Sequence, residues 1–303
     1  MPSDATPADL VTLLHRAGGL DGQAHGHAAA QRFADAARDW QDGAAALREA
    51  ADALDRQRFE MLGCVVGASM TCGQHADAAA ALAELRGLLA VDRARPGAAT
   101  AERIARVGML CCVARHWREA AGLLAEADGL FAAADGAVPL AMRLEVLGAL
   151  ATAHGFLAER EAGLSVLSRA VELAGRAAAA GAPQAAERLA ELRNTQGSLL
   201  LEAGRPADAI AALLACIDIL RPPGADRRPP GLRNLEAAAL NRLGHAHAAL
   251  ADATAATEAF GASVALMREL VEIDDIAGLR EDFETALRDY ALFAGGAASG
   301  RTA

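Results

Sequence analysis

Two histidine pairs, His25-Gly26-His27 and His245-Ala246-His247, and five cysteines, Cys64, Cys72, Cys111, Cys112 and Cys216, are the side chains here best suited to hold a metal or attack an electrophile. Their spacing argues against both. Residues two apart on a helix project about 200° apart, so neither histidine pair chelates from a helix; only a loop at a helix start could bring His25 and His27 together. The cysteines are odd in number, lack Cys-x-x-Cys spacing and sit in apolar helical stretches. They read as small buried hydrophobes in a reducing compartment. Serine, histidine and aspartate show no spacing that converges on a nucleophile. Neither a Gly-x-Gly-x-x-Gly fingerprint after a strand nor a Gly-x-Ser-x-Gly elbow is present. All 29 basic residues are arginine, which excludes the lysine-containing phosphate loop in its usual form. No catalytic residue, metal or cofactor is expected, and the chain reads as not an enzyme.

Charge narrows the partners. Against those arginines stand 39 acidic residues, a formal net charge of -10, which repels nucleic acid and anionic lipid. Hydrophobic residues make up 53% of the chain but aromatics only 3%, and the surplus is alanine. Alanine favours helix and lets helices approach closely, so the composition points to an all-α protein with thin interhelical layers. No apolar run approaches the ~18 residues a membrane span requires, and "MPSDATPADL" has no basic stretch leading into an apolar core, so the expected location is cytoplasmic.

The elements that would position any functional side chain emerge from "GSLLLEAGRPADAIAALL", Gly197 to Leu214. Gly204 suits a left-handed helix end and Pro206 tolerates only the first turn of the next helix, so the stretch is helix, tight turn, helix. Ala209 and Leu213 then lie a turn apart on the second helix. The same small residue recurs at Gly43, Ala78, Ala120, Gly163, Ala209 and Ala256, at intervals of 35 to 47 residues. Four residues on from each stands Leu47, Leu82, Leu124, Leu167, Leu213 or Phe260; twelve before it lies Gln31, Val66, Gly108, Ala151, Gly197 or Gly244. The columns predict packing of the second helix against the first. "RDW" at 38–40 and "RHW" at 115–117 place Trp40 and Trp117 at equivalent turns, each packing against the next helix.

These columns resemble the tetratricopeptide repeat (TPR), closest in "RLGHAHAALADATAATEAF" and "TQGSLLLEAGRPADAIAALL", across roughly residues 25–270. The spacing exceeds the family's usual ~34 residues, as in the longer repeats of some bacterial regulators. The resemblance implies a right-handed α-solenoid of about six antiparallel helix pairs. Breakers set the expected boundaries: a short helix in 1–20 begun at Pro7 and ended by Gly18-Gly19, a single repeat array over 21–273, a capping helix over 274–293 started by Asp274-Asp275, and a disordered tail at 294–303. Units separate at Pro96, Pro139, Pro183 and 221–231.

Six residues before the first-helix small column stand Glu60, Glu102, Glu145 and Glu191, in register across four units. First helices line the concave face of such a stack, so the glutamates either form a stripe along the groove or serve the helix dipole and solvent. The dipole suffices for Glu60 and Glu102, read as first-turn residues, and less well for Glu145 and Glu191. Asn194 and Asn241 occupy equivalent places, followed one turn later by Ser198 and His245; an asparagine pair can clamp an extended peptide, and exposed asparagine on a helix is equally ordinary. The expected function is a non-catalytic scaffold or adaptor holding a peptide or helix of another protein in the groove, with a basic or amphipathic-basic segment as the favoured partner. A peptide- or ligand-sensing regulatory module is the alternative, and an unrecognised enzyme the third.

Overall fold

The computed structural model describes residues 7–30, 32–93, 97–134, 138–182, 184–221 and 228–298, and among them every regular element is helical. Pro96, Pro183, Gln31, the loop at 222–227 and residues 299–303 lie outside the described residues. Twelve α-helices follow in order: α1 Pro7–Ala29, α2 Phe33–Thr71, α3 His75–Asp92, α4 Ala98–Val113, α5 Trp117–Ala133, α6 Leu140–Phe156, α7 Arg160–Ala179, α8 Ala185–Glu202, α9 Pro206–Leu220, α10 Pro230–Ala249, α11 Ala253–Arg268 and α12 Arg280–Ala298. The chain divides into two compact units, Met1–Pro96 and Gly97–Ala303.

In the second unit the helices pair as α4 with α5, α6 with α7, α8 with α9 and α10 with α11, and each pair packs on the next. The sequence columns are the contact surfaces. A β-carbon added at Gly197 would sit 2.5 Å from Leu213 Cγ, one at Gly108 2.8 Å from Leu124 Cγ, and one at Gly244 2.7 Å from Phe260. Partners in each pair are sixteen residues apart, the sum of the two column offsets. Leu124, Leu167, Leu213 and Phe260 are fully buried. A large side chain on the second helix thus fills the space left by a small residue on the first, which brings the two axes close.

The turns repeat with the same register. Gly73, Arg115, Ala158, Gly204 and Ala251 all have positive φ, between 60° and 72°. Each sits just past the end of a first helix. The residue after it donates its amide back to a carbonyl five residues earlier, as His116 to Cys111, Glu159 to His154 and Arg205 to Leu200. This is the Schellman arrangement that a left-handed residue permits. Three of the five positions are not glycine, so the packing imposes the conformation there against a local preference.

The join between α9 and α10 is held by charge. Glu236 is fully buried, and its carboxylate accepts from Arg221 Nε at 2.5 Å and from Arg228, which stand on either side of 222–227. Beyond α11 a π-turn at Glu269–Ile273 and a short 3₁₀ segment at Ala277–Leu279 lead into α12. Phe283 and Ala286 of α12 close over Ala237, Val264, Met267 and Leu270, covering the apolar face that the last pair would otherwise expose.

In the first unit α1 packs along the early part of α2, where Gly43 lies against Ala17 and Leu20, and α3 packs along the later part. Several sequence expectations change here. Gly18-Gly19 do not end α1, which runs on to Ala29, because two glycines inside an otherwise packed helix cost less than breaking it. Helix α2 is continuous over 39 residues, joining what the repeat reading places in successive units. Leu47, the first member of the large column, is therefore 53% exposed, since α1 covers Ala46 and Ala50 instead. Trp40 lies within α2 and not at a turn, is 43% exposed, donates Nε1–H to Asp21 Oδ1 at 3.2 Å and meets His25 of α1 edge to face. Trp117 does begin a helix, and it stacks on Phe156 of the next first helix with ring centroids 4.0 Å apart. Asp274-Asp275 precede α12 by several residues and do not cap it, and α12 continues through 294–298, where a disordered tail was expected.

Candidate functional site

The first helices of the second unit, α4, α6, α8 and α10, contact one another in sequence and form a continuous row. Along that row Met109 and Cys112 of α4, Glu145, Gly148, Ala149 and Thr152 of α6, and Arg188, Glu191, Leu192 and Thr195 of α8 line a cleft of about 310 Å³. A second cleft of about 460 Å³ opens at the beginnings of α6 and α8 and shares Glu145, Arg188 and Glu191 with the first. Leu140, Leu144 and Ala185 give it an apolar wall. Two of the four glutamates in the sequence column, Glu145 and Glu191, are thereby brought together on one surface, both exposed. Each stands in the second turn of its helix, past the last unbonded amide, so the dipole account is weak for both.

Arg188, which the column did not single out, sits between them. Its guanidinium pairs with Glu191 and reaches within about 3.6 Å of where a β-carbon on Gly148 would be. The signal was present as Arg-x-x-Glu, a spacing that puts both side chains on one helical face. The glycine at 148 leaves room for the arginine to lie across α6.

Glu102 is half-buried on α4. Glu60 is exposed but lies deep inside α2 and not in a first turn, so the dipole role proposed for it from sequence does not apply. It belongs to the first unit, whereas the other three belong to the second.

The asparagines and their neighbours bind this chain's own helices. Asn194 is buried, and its Oδ1 accepts from Arg242 Nη1 of α10 at 3.1 Å. Asn241 Nδ2 donates to Asp289 Oδ2 of α12 at 3.1 Å, and His245 Nε2 lies 3.2 Å from the same oxygen. Each asparagine thus meets a residue 48 positions on, in the next member of the row, so α12 occupies the place of a further first helix. His245 also meets Phe260 edge to face, and Phe260 stacks on Phe293. Ser198 is half-buried on α8. The equivalent placement seen in sequence comes from packing between successive helix pairs of the second unit, which repeats with the same period as any surface role would.

Burial holds the pKa of Arg242 below its ordinary value, partly offset by Cys216 and Glu202. Burial raises Cys112 to about 11 and Cys216 to about 12. Among the described residues no group of three or more histidine, cysteine or acidic side chains is placed to hold a metal ion. His25 lies near the end of α1, its Nδ1 2.9 Å from the Asp21 carbonyl, and His27 approaches Asp39 at 3.4 Å. The helix start that could have brought those two histidines together is not there. No helix among the described residues is long and apolar enough to cross a membrane.

Comparison with solved structures places this fold. The chain is similar to the nearly identical TPR-like repeats of a kinesin light chain-type protein from Podosopora anserina, with TM-score 0.57, 14% identity, and coverage of 71% of this chain and 97% of the other. It is similar to the apo form of RapI, with TM-score 0.57, 10% identity, and coverage of 94% and 76% respectively. No family model matches the sequence, and no curated protein matches it either. The fold is a TPR-like helical repeat solenoid.

Proposed function

We propose that the row of first helices in the second unit is a docking surface for a peptide or helical segment of another protein, and that the chain is a non-catalytic scaffold or adaptor. The observation that carries this reading is the pair of connected clefts on that row, apolar along Leu140, Leu144 and Leu192 and rimmed by Glu145 and Glu191. An apolar floor with a few charged groups at its edge suits a bound segment with alternating apolar and basic side chains. Arg188 already holds Glu191, so Glu145 is the carboxylate more available to an incoming cation, and a partner's arginine or lysine would compete with Arg188 for the other. A binding role fits the one thiol in the cleft: with its pKa near 11, Cys112 stays protonated at neutral pH and is a poor nucleophile. The basic or amphipathic-basic character of the partner, and a location in the cytoplasm, belong to this same reading.

The experiment is selection of peptides from a random displayed library on the intact chain, followed by titration of labelled binders. Selected sequences should combine basic and apolar residues, bind more weakly as salt rises, and lose about tenfold or more in affinity on Glu145→Arg/Glu191→Arg while the helical signal and melting temperature hold. Binders that ignore both the double reversal and salt would sink the assignment to this row.

A further inference from the structure

Large apolar side chains stand exposed along the outside of α2 in the first unit. On α2, Trp40, Leu47, Leu54 and Met61 are 43, 53, 48 and 63% exposed, and they follow one another at intervals of seven residues. Val65 continues the stripe and is also exposed. Three consecutive heptads keep these residues on one line of a helix that supercoils against another, a length of roughly 32 Å at 1.5 Å per residue. Trp40 also touches α1, donating Nε1–H to Asp21 and meeting His25 edge to face, and keeps the rest of its ring exposed; otherwise the faces of α2 that pack within the unit are different ones, Gly43, Ala46, Ala50 and Ala53 toward α1, and Phe59 and Val66 where α3 lies. Isolated exposed leucines need no explanation, but Leu47, Leu54 and Met61 in one heptad line, continued by the exposed edge of Trp40, do.

We infer that this stripe on α2 is the contact between two copies of the chain, arranged as an antiparallel helix pair about a two-fold axis between residues 50 and 51. The seam is symmetric about that point. Leu47 and Leu54 lie equally far on either side of it, as do Trp40 and Met61, so the two-fold sets Leu47 against Leu54 of the partner subunit and Trp40 against the partner's Met61. An isologous contact requires this kind of self-complementarity. Ala44 and Ala51, both exposed, flank the seam and let the two axes approach closely. Charge agrees with the antiparallel sense. Arg48 and Asp55 share the adjacent flank seven residues apart, and neither is held in an ion pair among the described residues. The same axis brings Arg48 within reach of the partner's Asp55, and the pair occurs twice. A parallel pairing would place Trp40 against Trp40 and carry Arg48 and the partner's Asp55 to opposite flanks of the seam, out of reach of each other. Two chains of net charge -10 repel at long range, so added salt should leave the dimer intact or strengthen it, because screening acts on distant charges more than on the apolar seam.

Sedimentation equilibrium of the intact chain at micromolar concentration should give twice the 31.0 kDa chain mass. Leu47→Glu/Leu54→Glu should return it to the single-chain mass with the helical signal retained. Arg48→Asp alone and Asp55→Arg alone should each weaken the dimer by about tenfold, and the two together should restore it, a result independent of whether the leucine variant folds. In a background with Cys64→Ser and Cys72→Ser, mixing Trp40→Cys with Met61→Cys chains should yield a disulfide-linked mixed dimer, whereas Trp40→Cys alone should not crosslink to itself. A single-chain mass for the unaltered protein, a dimer unaffected by the leucine substitutions, or self-crosslinking of Trp40→Cys would each overturn the proposal.

Discussion

Burial decides the chemistry of the cysteines. Desolvation disfavours thiolate at Cys112 and Cys216, whose pKa values rise to about 11 and about 12, whereas Cys64 and Cys72 are exposed on α2 and at its end. Alkylation near neutral pH, followed by peptide mass spectrometry, should therefore modify Cys64 and Cys72 first and reach Cys112 and Cys216 only on unfolding. The same shifts bear on stability. A thiol that holds its proton more tightly when folded favours the folded state below its unfolded pKa, near 9, and that contribution disappears as pH rises through the folded value. Thermal melts should fall between about pH 9 and 12, and fall less in Cys112→Ala/Cys216→Ala. An equal fall in both proteins would place the alkaline sensitivity elsewhere, and not in Arg242, whose lowered folded pKa leaves more protons on the unfolded state and so opposes the fall.

Within the helix pairs, size complementarity at sixteen residues is the main determinant. Leu213→Ala removes a fully buried side chain and should cost about 2 to 5 kcal/mol in denaturant unfolding. Gly197→Ala drives a methyl into Leu213 and should cost about 1 to 3 kcal/mol. Combined, the two should cost less than their sum, because the added methyl enters the vacated space. Strict additivity would mean that the two sites do not share a contact. The turns invite the opposite change. Arg115, Ala158 and Ala251 hold left-handed backbone that glycine adopts without penalty, so replacing each with glycine should stabilise by roughly 0.5 to 1 kcal/mol, despite glycine's ordinary cost in the unfolded chain. Gly204 already stands at the equivalent place and should lose stability on Gly204→Ala.

The α1–α2 surface differs from the rest of the core in what fills it, since α2 and α3 bury Phe59, Val66, Leu82, Leu85 and Leu89 between them. The surface between α1 and α2 is built on Ala17, Ala24, Ala36, Ala46 and Ala50, each a small area removed from water. In the second unit, Ile104, Leu124, Phe131, Leu144, Leu167, Leu213, Phe260 and Leu270 are buried almost completely. Apolar stabilisation scales with that area, so amide hydrogen exchange should be faster throughout α1 and the early part of α2 than in α5, α7 and α9. Mild proteolysis should likewise cut α1 and the early part of α2 first. Uniform protection across both units would show that contacts beyond the alanine surface support α1.

The sequence determined what repeats. A glycine or alanine, a leucine or phenylalanine sixteen residues on, and a left-handed turn between them are chemical requirements of two helices packed closely, so they recur wherever the pair recurs, as Gly108 with Leu124 and Gly197 with Leu213. The TPR-like fold was legible for that reason. The tertiary structure decided what periodicity cannot distinguish. Asn194 and Asn241 keep register because neighbouring first helices bond through them, and Glu145 and Glu191 keep the same register on an open cleft. One repeat distance serves both roles, and only the position of the next helix separates them. Nor did the columns reveal that α2 is unbroken, because no glycine or proline signal is needed to continue a helix: the absence of a turn between Gly43 and Val66 is set by α1 and α3 each covering part of its length, which leaves Leu47 in water.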